Sequence, residues 1–293
     1  MADGEAAAQR GRPAILCADD YGMSDGINAG IGELAATGRL SATSALVTTR
    51  HWRDHAGRLA ALRPRIAVGL HLNLTLGAPL GPMPHLAPSG TLPPVRTLLG
   101  RTLAGRIDDA EVAGEIVRQL DAFEDALGHA PDMIDGHQHV HVFPHIRRVL
   151  LRVLTERYPG AKPMLRDIAD SPAAIIVRGA AIPKALGLSV LASGFGARAR
   201  ALGFPTNRGF SGVSTFDEQL PYERELRRFF IRPGPLHLVM CHPGYPDEEL
   251  GRIETLVTRR KAELEALRSA RDLPHMILHP RRDETGRIVW GRA

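Results

Sequence analysis

Cysteine and lysine are scarce in this chain of 293 residues, and long apolar runs are absent. Two cysteines, Cys17 and Cys241, are too few to form a disulfide framework in a chain of this length. No apolar run approaches the ~20 residues of a transmembrane helix, so we expect no membrane span. Residues 1–12 lack the apolar centre of a signal peptide and predict a disordered leader on a cytoplasmic protein.

Lysine is nearly absent, because the 37 basic residues include only Lys162, Lys184 and Lys261. The other basic residues are arginines scattered among 32 acidic residues, and the formal charge is +5. A protein that binds nucleic acid usually concentrates its positive charge on one face or stripe. The sequence shows no such stripe, so we interpret the arginine excess as compositional bias and expect no nucleic-acid partner.

Short apolar segments alternate with helical patterns along most of the chain. The predicted strands are 14–18, 42–48, 66–72, 133–135, 163–166, 236–241 and 276–278, and the predicted helices are 24–37, 52–62, 108–127, 144–157 and 248–270. This alternation implies parallel strands joined by right-handed crossovers. We therefore predict one catalytic α/β domain over residues 13–293, an irregular (β/α) TIM-barrel-like fold of eight units or fewer. A doubly wound open sheet is the alternative.

Two adjacent carboxylates, Asp19 and Asp20, stand at the end of the first predicted strand. Like charges this close raise the pKa of one partner unless a cation keeps both ionised. Histidines lie at or just after the ends of three further predicted strands, at His71, His137 and His242. Because active sites of parallel α/β folds lie at the carboxyl ends of the strands, these four positions predict a single site.

A divalent metal ion is the cation that suits these side chains. Zinc and similar ions bind imidazole nitrogen and carboxylate oxygen, and a catalytic site leaves one position for water beside three protein ligands. Asp20, His71 and His137 are the predicted ligands. The neighbouring Asp19 would accept a proton from the activated water, and His242 would protonate the leaving group.

Simpler interpretations of two of these residues stay open. Asp19 could cap the helix that begins near Ser24, although the adjacent Asp20 makes the pair more than a cap needs. His71 could be a histidine of the core whose hydrogen bonds are satisfied there. The metal site is favoured because several segments contribute to it at once.

The histidines of segment 135–141 allow two arrangements. His137, His139 and His141 would share one face of a strand, whereas in a helix His137 and His141 would lie one turn apart. In either case at most two of them reach one ion, so we assign His139 and His141 to substrate binding and keep a structural role as the alternative. Arg166 is the last residue of another predicted strand and could orient a carboxylate or bind substrate.

Taken together, the motifs resemble those of the YdjC-like carbohydrate deacetylases, which include chitooligosaccharide deacetylases and deacetylases of hopanoid biosynthesis. The matching segments, in the family's order, are 18–22, 69–72, 135–144 and 240–243. The resemblance implies an irregular TIM-barrel-like fold and hydrolysis of an N-acetyl group from an amino sugar. It also implies Asp20, His71 and His137 as metal ligands and Asp19 as the base. In the family the ion is taken as magnesium or zinc, and two histidine ligands favour zinc.

We therefore expect a metal-dependent hydrolase that deacetylates an N-acetylhexosamine, either chitooligosaccharide-like or linked to a lipid or natural product. Its cofactor would be one divalent ion, Zn²⁺ or Mg²⁺, and its partner a small N-acetylated sugar; a homo-oligomer is left open. The alternatives are a metal hydrolase of another amide or ester and a non-catalytic sugar-binding barrel. Substrate identity is expected to depend on segments 75–94 and 167–219, for which the motifs give no assignment.

Overall fold

The central sheet consists of seven parallel strands in a computed structural model that describes residues 12–215, 217, 219–254 and 257–290. The strands are β1 (Ile15–Tyr21), β2 (Ala42–Ala45), β3 (Ala67–Leu72), β4 (Met133–Gly136), β5 (Met164–Leu165), β6 (Phe210–Ser211) and β7 (Leu238–Cys241). They are arranged in the order β5-β4-β3-β2-β1-β7-β6. A separate antiparallel hairpin consists of β8 (Pro280–Arg282) and β9 (Ile288–Trp290).

The two edge strands, β5 and β6, are linked through the segment just before β6. Leu165 pairs in parallel with Thr206, and its N–H donates to the carbonyl of Pro205 at 2.8 Å. The side chain of Asn207 then binds both the N–H and the carbonyl of Asp167 at 2.7 Å. Followed around this link, the strands keep their chain order from β1 to β7, as in a singly wound barrel. The predicted α/β barrel with fewer than eight units is confirmed as a partial barrel, and the doubly wound alternative is wrong.

Helices connect the strands and enclose them. They are α1 (Asp25–Ala36), α2 (Trp52–Leu62), α3 (Val95–Leu103), α4 (Asp109–Leu127), α5 (Ile146–Arg157), α6 (Pro172–Arg178), α7 (Ile182–Leu191), α8 (Phe195–Ala201), α9 (Tyr222–Phe229), α10 (Glu248–Ile253), α11 (Val257–Ser269) and α12 (Leu273–Met276). Strands β1 to β4 are buried at every position, as expected for parallel strands covered on both faces. Among the described residues, no helix is long and apolar enough to cross a membrane.

Helix α4 shows how the sequence determines these elements. Its N-cap, Asp108, accepts hydrogen bonds from two backbone N–H groups of the first turn, and such a cap stabilises a helix by about 1 kcal/mol. Its C-cap, Gly128, has a φ of 73°, a left-handed conformation that glycine adopts without strain. The apolar residues between the caps form one buried stripe: Val112, Ile116, Leu120 and Phe123. The bounds predicted for this helix are therefore confirmed to within one residue.

Three predicted elements are wrong in their extent. The helix predicted over 248–270 is interrupted, because Glu254 after α10 has an extended backbone (φ −147°, ψ 164°). The strand predicted over 42–48 ends at Ala45. Of segment 276–278, Ile277 alone forms a bridge, with Ala14, since Met276 ends α12. The leader predicted over 1–12 lies, apart from its last residue, outside the described part of the chain.

Candidate metal and catalytic site

Asp19 and Asp20 line the same cleft although they are consecutive residues of a strand. In a regular strand consecutive side chains point to opposite faces. Here the pairing of β1 with β2 shifts register between Ala18 and Tyr21, and Asp20 has a φ of 71°. A non-glycine residue in this left-handed region costs about 1–3 kcal/mol, and such strain clusters at functional sites. The irregular end of β1 therefore lets both carboxylates serve one site.

The three predicted metal ligands converge at the bottom of this cleft. Asp20 Oδ1 lies 3.2 Å from His71 Nε2 and 3.0 Å from His137 Nδ1. One donor atom from each residue lies within 4.8 Å of the other two. Two ligands of one tetrahedral ion are ~3.4 Å apart when each bond is ~2.1 Å long, so the cluster has the dimensions of a metal site. One carboxylate and two imidazoles are also a donor set that zinc accepts.

His71 is held in place by a second carboxylate, Asp135. The Nδ1 atom of His71 lies 2.6 Å from Asp135 Oδ1 and 3.1 Å from Ser44 Oγ, which leaves Nε2 toward Asp20. Burial by itself lowers the pKa of His71, but the charge and hydrogen bond of Asp135 raise it to about 10. A carboxylate behind a histidine in this way is the usual partner that fixes the orientation of a metal-binding imidazole.

Arg166 is fully buried below the cleft and joins two carboxylates. Its Nη1 and Nη2 atoms donate hydrogen bonds of 2.6 Å to the two oxygens of Asp19, and Nη2 also lies 2.5 Å from Asp135 Oδ2. Burial raises the pKa of Asp19, but the charge and hydrogen bonds of Arg166 lower it to about 2. Since Arg166 is buried at the floor, its position favours the orienting role over the predicted contact with substrate.

Arg260, which sequence reasoning missed, holds the other side of Asp20. Its Nη2 atom lies 2.7 Å from Asp20 Oδ2, while the same guanidinium also pairs with Glu254. Burial raises the pKa of Asp20, but the charges of Arg260 and His137 lower it well below the usual range. In the structure Arg259, Arg260 and Glu263 lie buried on α11, and the mixed charges of this helix did not indicate that burial in the sequence.

His242 follows β7 and lines the cleft together with Asp19 and the metal-ligand cluster. Its backbone N–H donates a hydrogen bond of 2.6 Å to Glu263 Oε2. Burial raises the pKa of Glu263, and the charge of His242 opposes this shift. The predicted acid and a buried carboxylate therefore lie together in the cleft that the strand-end histidines of β3 and β4 also line.

The remaining two predicted histidines separate in the structure. Segment His137–Val142 is a short 3₁₀ turn in which His139 has a φ of 63°, so the strand-like alternation is wrong. His139 lines the cleft, with its ring 5.8 Å from that of Phe210. His141 is buried behind it and donates from Nε2 to the carbonyl of Arg166 at 2.9 Å. Burial lowers the pKa of His141 to about 4, and its position favours the structural alternative over substrate binding.

The cleft has a volume of about 370 Å³, a size typical of small-molecule sites. Beyond the predicted residues, its walls include Lys184, Leu188, Val213 and Ser214, Met240 of β7, and the charged residues Glu254, Arg259, Arg260 and Glu263. Four of these residues belong to segment 167–219, which fits the expectation that this segment bears on substrate identity. In the described structure, segment 75–94 contributes none of the lining residues.

The model of one protein family, described as YdjC-like protein, matches residues 13–272. The chain belongs to this YdjC-like family. The resemblance of the sequence motifs to that family is thereby confirmed.

Several curated relatives bear the name chitooligosaccharide deacetylase, and two of them illustrate the match. The one from Klebsiella pneumoniae (strain 342) is 38% identical over 146 residues, which cover 50% of this chain and 57% of the relative. The one from Salmonella typhi is 36% identical over 151 residues, with the same coverage of 50% and 57%. The chain thus spans little more than half the length of the curated relatives it matches.

A solved structure shares the fold. It is a crystal structure from Enterococcus faecalis V583, of a protein described as a candidate for cellobiose-phosphate cleavage. The match has a TM-score of 0.67 and 22% sequence identity, and it covers 91% of this chain and 94% of the other. At this level of identity the match shows a common architecture, which agrees with the partial barrel described above.

Proposed function

We propose that this YdjC-like protein is a metal-dependent carbohydrate deacetylase. It would hydrolyse the N-acetyl group of an amino sugar, either chitooligosaccharide-like or linked to a lipid or natural product. The observation that carries the proposal is the convergence of Asp20, His71 and His137 within 4.8 Å, beside the ionised Asp19. The name of the K. pneumoniae and S. typhi relatives supports the reaction class. In this proposal residues 13–293 act as one catalytic domain.

Asp20, His71 and His137 are the residues that would hold the ion, with Zn²⁺ or Mg²⁺ as candidates. A divalent ion bound there would polarise the acetyl carbonyl and lower the pKa of a water molecule. Arg260 and Asp135 act behind two of these ligands. Arg260 engages the Asp20 oxygen that faces away from the histidines, and Asp135 keeps Nδ1 of His71 occupied, so that Nε2 stays directed at the cluster.

Asp19 is the residue proposed to take the proton of the attacking water. Each of its oxygens accepts one hydrogen bond from Arg166, and a carboxylate oxygen has a further lone pair for a proton. With a pKa of about 2, Asp19 is ionised throughout the neutral range, so it is always available as an acceptor. Because Asp19 is a weak base, it could take a proton only from a water molecule whose own pKa the bound ion would lower.

His242 is proposed to complete the hydrolysis. As the water oxygen bonds to the acetyl carbon, the C–N bond breaks and the leaving nitrogen needs a proton. His242 lines the same cleft as Asp19 and can deliver that proton from its imidazole. The products are acetate and the free amine of the sugar.

The test combines metal analysis with acetate release. Metal content of the purified protein is measured by mass spectrometry, and acetate is measured with N-acetylglucosamine, chitobiose and chitotriose before and after chelation and re-addition of Zn²⁺ or Mg²⁺. We expect Asp20→Asn, His71→Ala and His137→Ala to lose both metal and acetate release. His275→Ala, an exposed histidine on α12, is the matched control that keeps both.

Two outcomes separate the alternatives. Acetate release from an O-acetyl ester or a simple amide, with none from the N-acetylated sugars, would assign the site to another hydrolase. Sugar binding by the metal-loaded protein without any acetate release would instead indicate a non-catalytic sugar-binding barrel.

A further inference from the structure

A second cleft, of about 460 Å³, lies between α5 and α8 and shares no lining residue with the candidate metal site. Helix α5 supplies one wall, and the segment from Ser193 to Leu202, which includes α8, supplies the other. The proposed deacetylation makes no use of this space.

Four arginines line this second cleft, and their partners differ. Arg148 pairs with Asp109 at 2.7 Å, and Arg147 donates to the carbonyl of Ser193 at 3.1 Å. For Arg152 and Arg198, the described residues provide neither an ion-pair partner nor a hydrogen-bond acceptor for the guanidinium. A single lining carboxylate, Glu156, faces this set, so the cleft carries an excess of positive charge.

Arg152 and Arg198 are exposed at the second cleft, whereas the arginines that line the metal-site cleft are buried. There, Arg259 pairs with Glu225 and Arg260 with Asp20 at 2.7 Å, so each lining guanidinium has an acidic partner. Arginines gathered around a concave surface repel one another unless an anion compensates them. Arg152 and Arg198 thus form a pair of donors to which the described chain supplies no acceptor.

The wall of the second cleft also determines which anion fits. Guanidinium groups bind phosphate and carboxylate oxygens through paired hydrogen bonds. The lining of the cleft also includes the apolar side chains of Leu151, Phe195 and Leu202. These side chains would pack against carbon atoms of a ligand. We propose that this cleft binds a small organic phosphate, with its phosphate group between Arg152 and Arg198 and its organic part against the apolar wall.

The probes are glucose 6-phosphate and AMP, with inorganic phosphate and glucose as comparisons, titrated calorimetrically into the full chain at low and high NaCl. We expect saturable binding of at least one phosphate ester that weakens as salt rises. Arg152→Gln combined with Arg198→Gln should weaken that binding by about tenfold or more, since each charge-assisted hydrogen bond contributes substantially.

The matched control is Arg53→Gln combined with Arg227→Gln. It removes the same charge from exposed positions outside the cleft. This control should bind the ester as the unaltered chain does, and circular dichroism and thermal unfolding should show that both double variants fold.

Four results would overturn the proposal. They are no binding of either ester at low salt, equal weakening in both double variants, equal binding of glucose, and inorganic phosphate binding as tightly as the esters. The first two results would show that the cleft is not a phosphate-binding site. The last two would show that its ligand is not an organic phosphate.

Discussion

Arg166 donates two hydrogen bonds of 2.6 Å to Asp19 in a position that solvent does not reach. Such a fork-shaped pair fixes the plane of the carboxylate as well as its charge. The same guanidinium reaches Asp135, the residue that orients His71. One buried cation therefore connects the proposed base to the proposed metal ligand set.

Replacing this cation should destabilise the fold. Arg166→Met would leave Asp19 and Asp135 buried without their partner, and breaking a buried pair in this way costs about 3–5 kcal/mol. Urea unfolding at pH 7 measures the loss. Because Arg166 holds the pKa of Asp19 at about 2, below its value in an unfolded chain, the pair's contribution is complete above about pH 4 and lost toward pH 2.

The difference in unfolding free energy between the unaltered chain and Arg166→Met should therefore shrink as the pH falls from about 4 toward 2. Asp19→Asn, which removes the carboxylate and keeps Arg166, is the control for charge at this position. A gap that stays constant from pH 7 to pH 2 would contradict the assignment of the stability to this pair.

Asp135→Asn should weaken metal binding while leaving all three ligands in place. The amide cannot match the charge that holds Nδ1 of His71, and loss of such a partner typically costs about 10–100-fold in affinity. Competition with a chromogenic chelator measures the dissociation constant for Zn²⁺. Ser44→Ala removes the longer contact of 3.1 Å at the same nitrogen and should have a smaller effect. Equal affinities of Asp135→Asn and the unaltered chain would show that Asp135 does not orient the ligand.

Asp19→Asn should keep the metal but lose most turnover. The Asp19 oxygens face Arg166, and the ligand cluster is formed by Asp20 with His71 and His137. An amide of the same volume cannot accept the proton, and losing a general base lowers the rate by about 10²–10⁴-fold. Metal content and acetate release, measured on the same sample, give both results. Loss of the metal in this variant would make Asp19 a ligand instead.

The positions at the carboxyl ends of strands were predictable from the sequence. Asp20, His71 and His137 are separated along the chain, but the carboxyl ends of parallel strands meet at one edge of the barrel. Short apolar segments before each residue marked those strands, and the register of β3 with β4 places His71 opposite Asp135. The convergence of these side chains follows from that topology.

The parts of the site that come from elsewhere were not predictable. Arg260 belongs to α11, and the many charged residues of this helix are typical of a solvent-exposed helix. In the structure Arg260 is nevertheless buried against Asp20. The contact of Arg166 with Asp19 joins residues 147 positions apart, and no local pattern encodes it. The left-handed backbone of Asp20, which lets two adjacent carboxylates share a cleft, accompanies the register shift of β1 against β2, and the apolar pattern of β1 does not show that shift.

His242→Ala should slow turnover more than it weakens substrate binding. The hydrogen bond to Glu263 comes from the backbone N–H of His242, so alanine retains it and the end of β7 should stay in place. If the imidazole protonates the leaving nitrogen, its loss should lower kcat and kcat/KM together, by about 10²–10⁴-fold. His139→Ala, at the other cleft-lining histidine, is the comparison and should mainly raise KM. An unchanged kcat in a stable His242→Ala protein would assign His242 to the scaffold, and His139 would become the candidate acid, since His141 is buried behind the cleft.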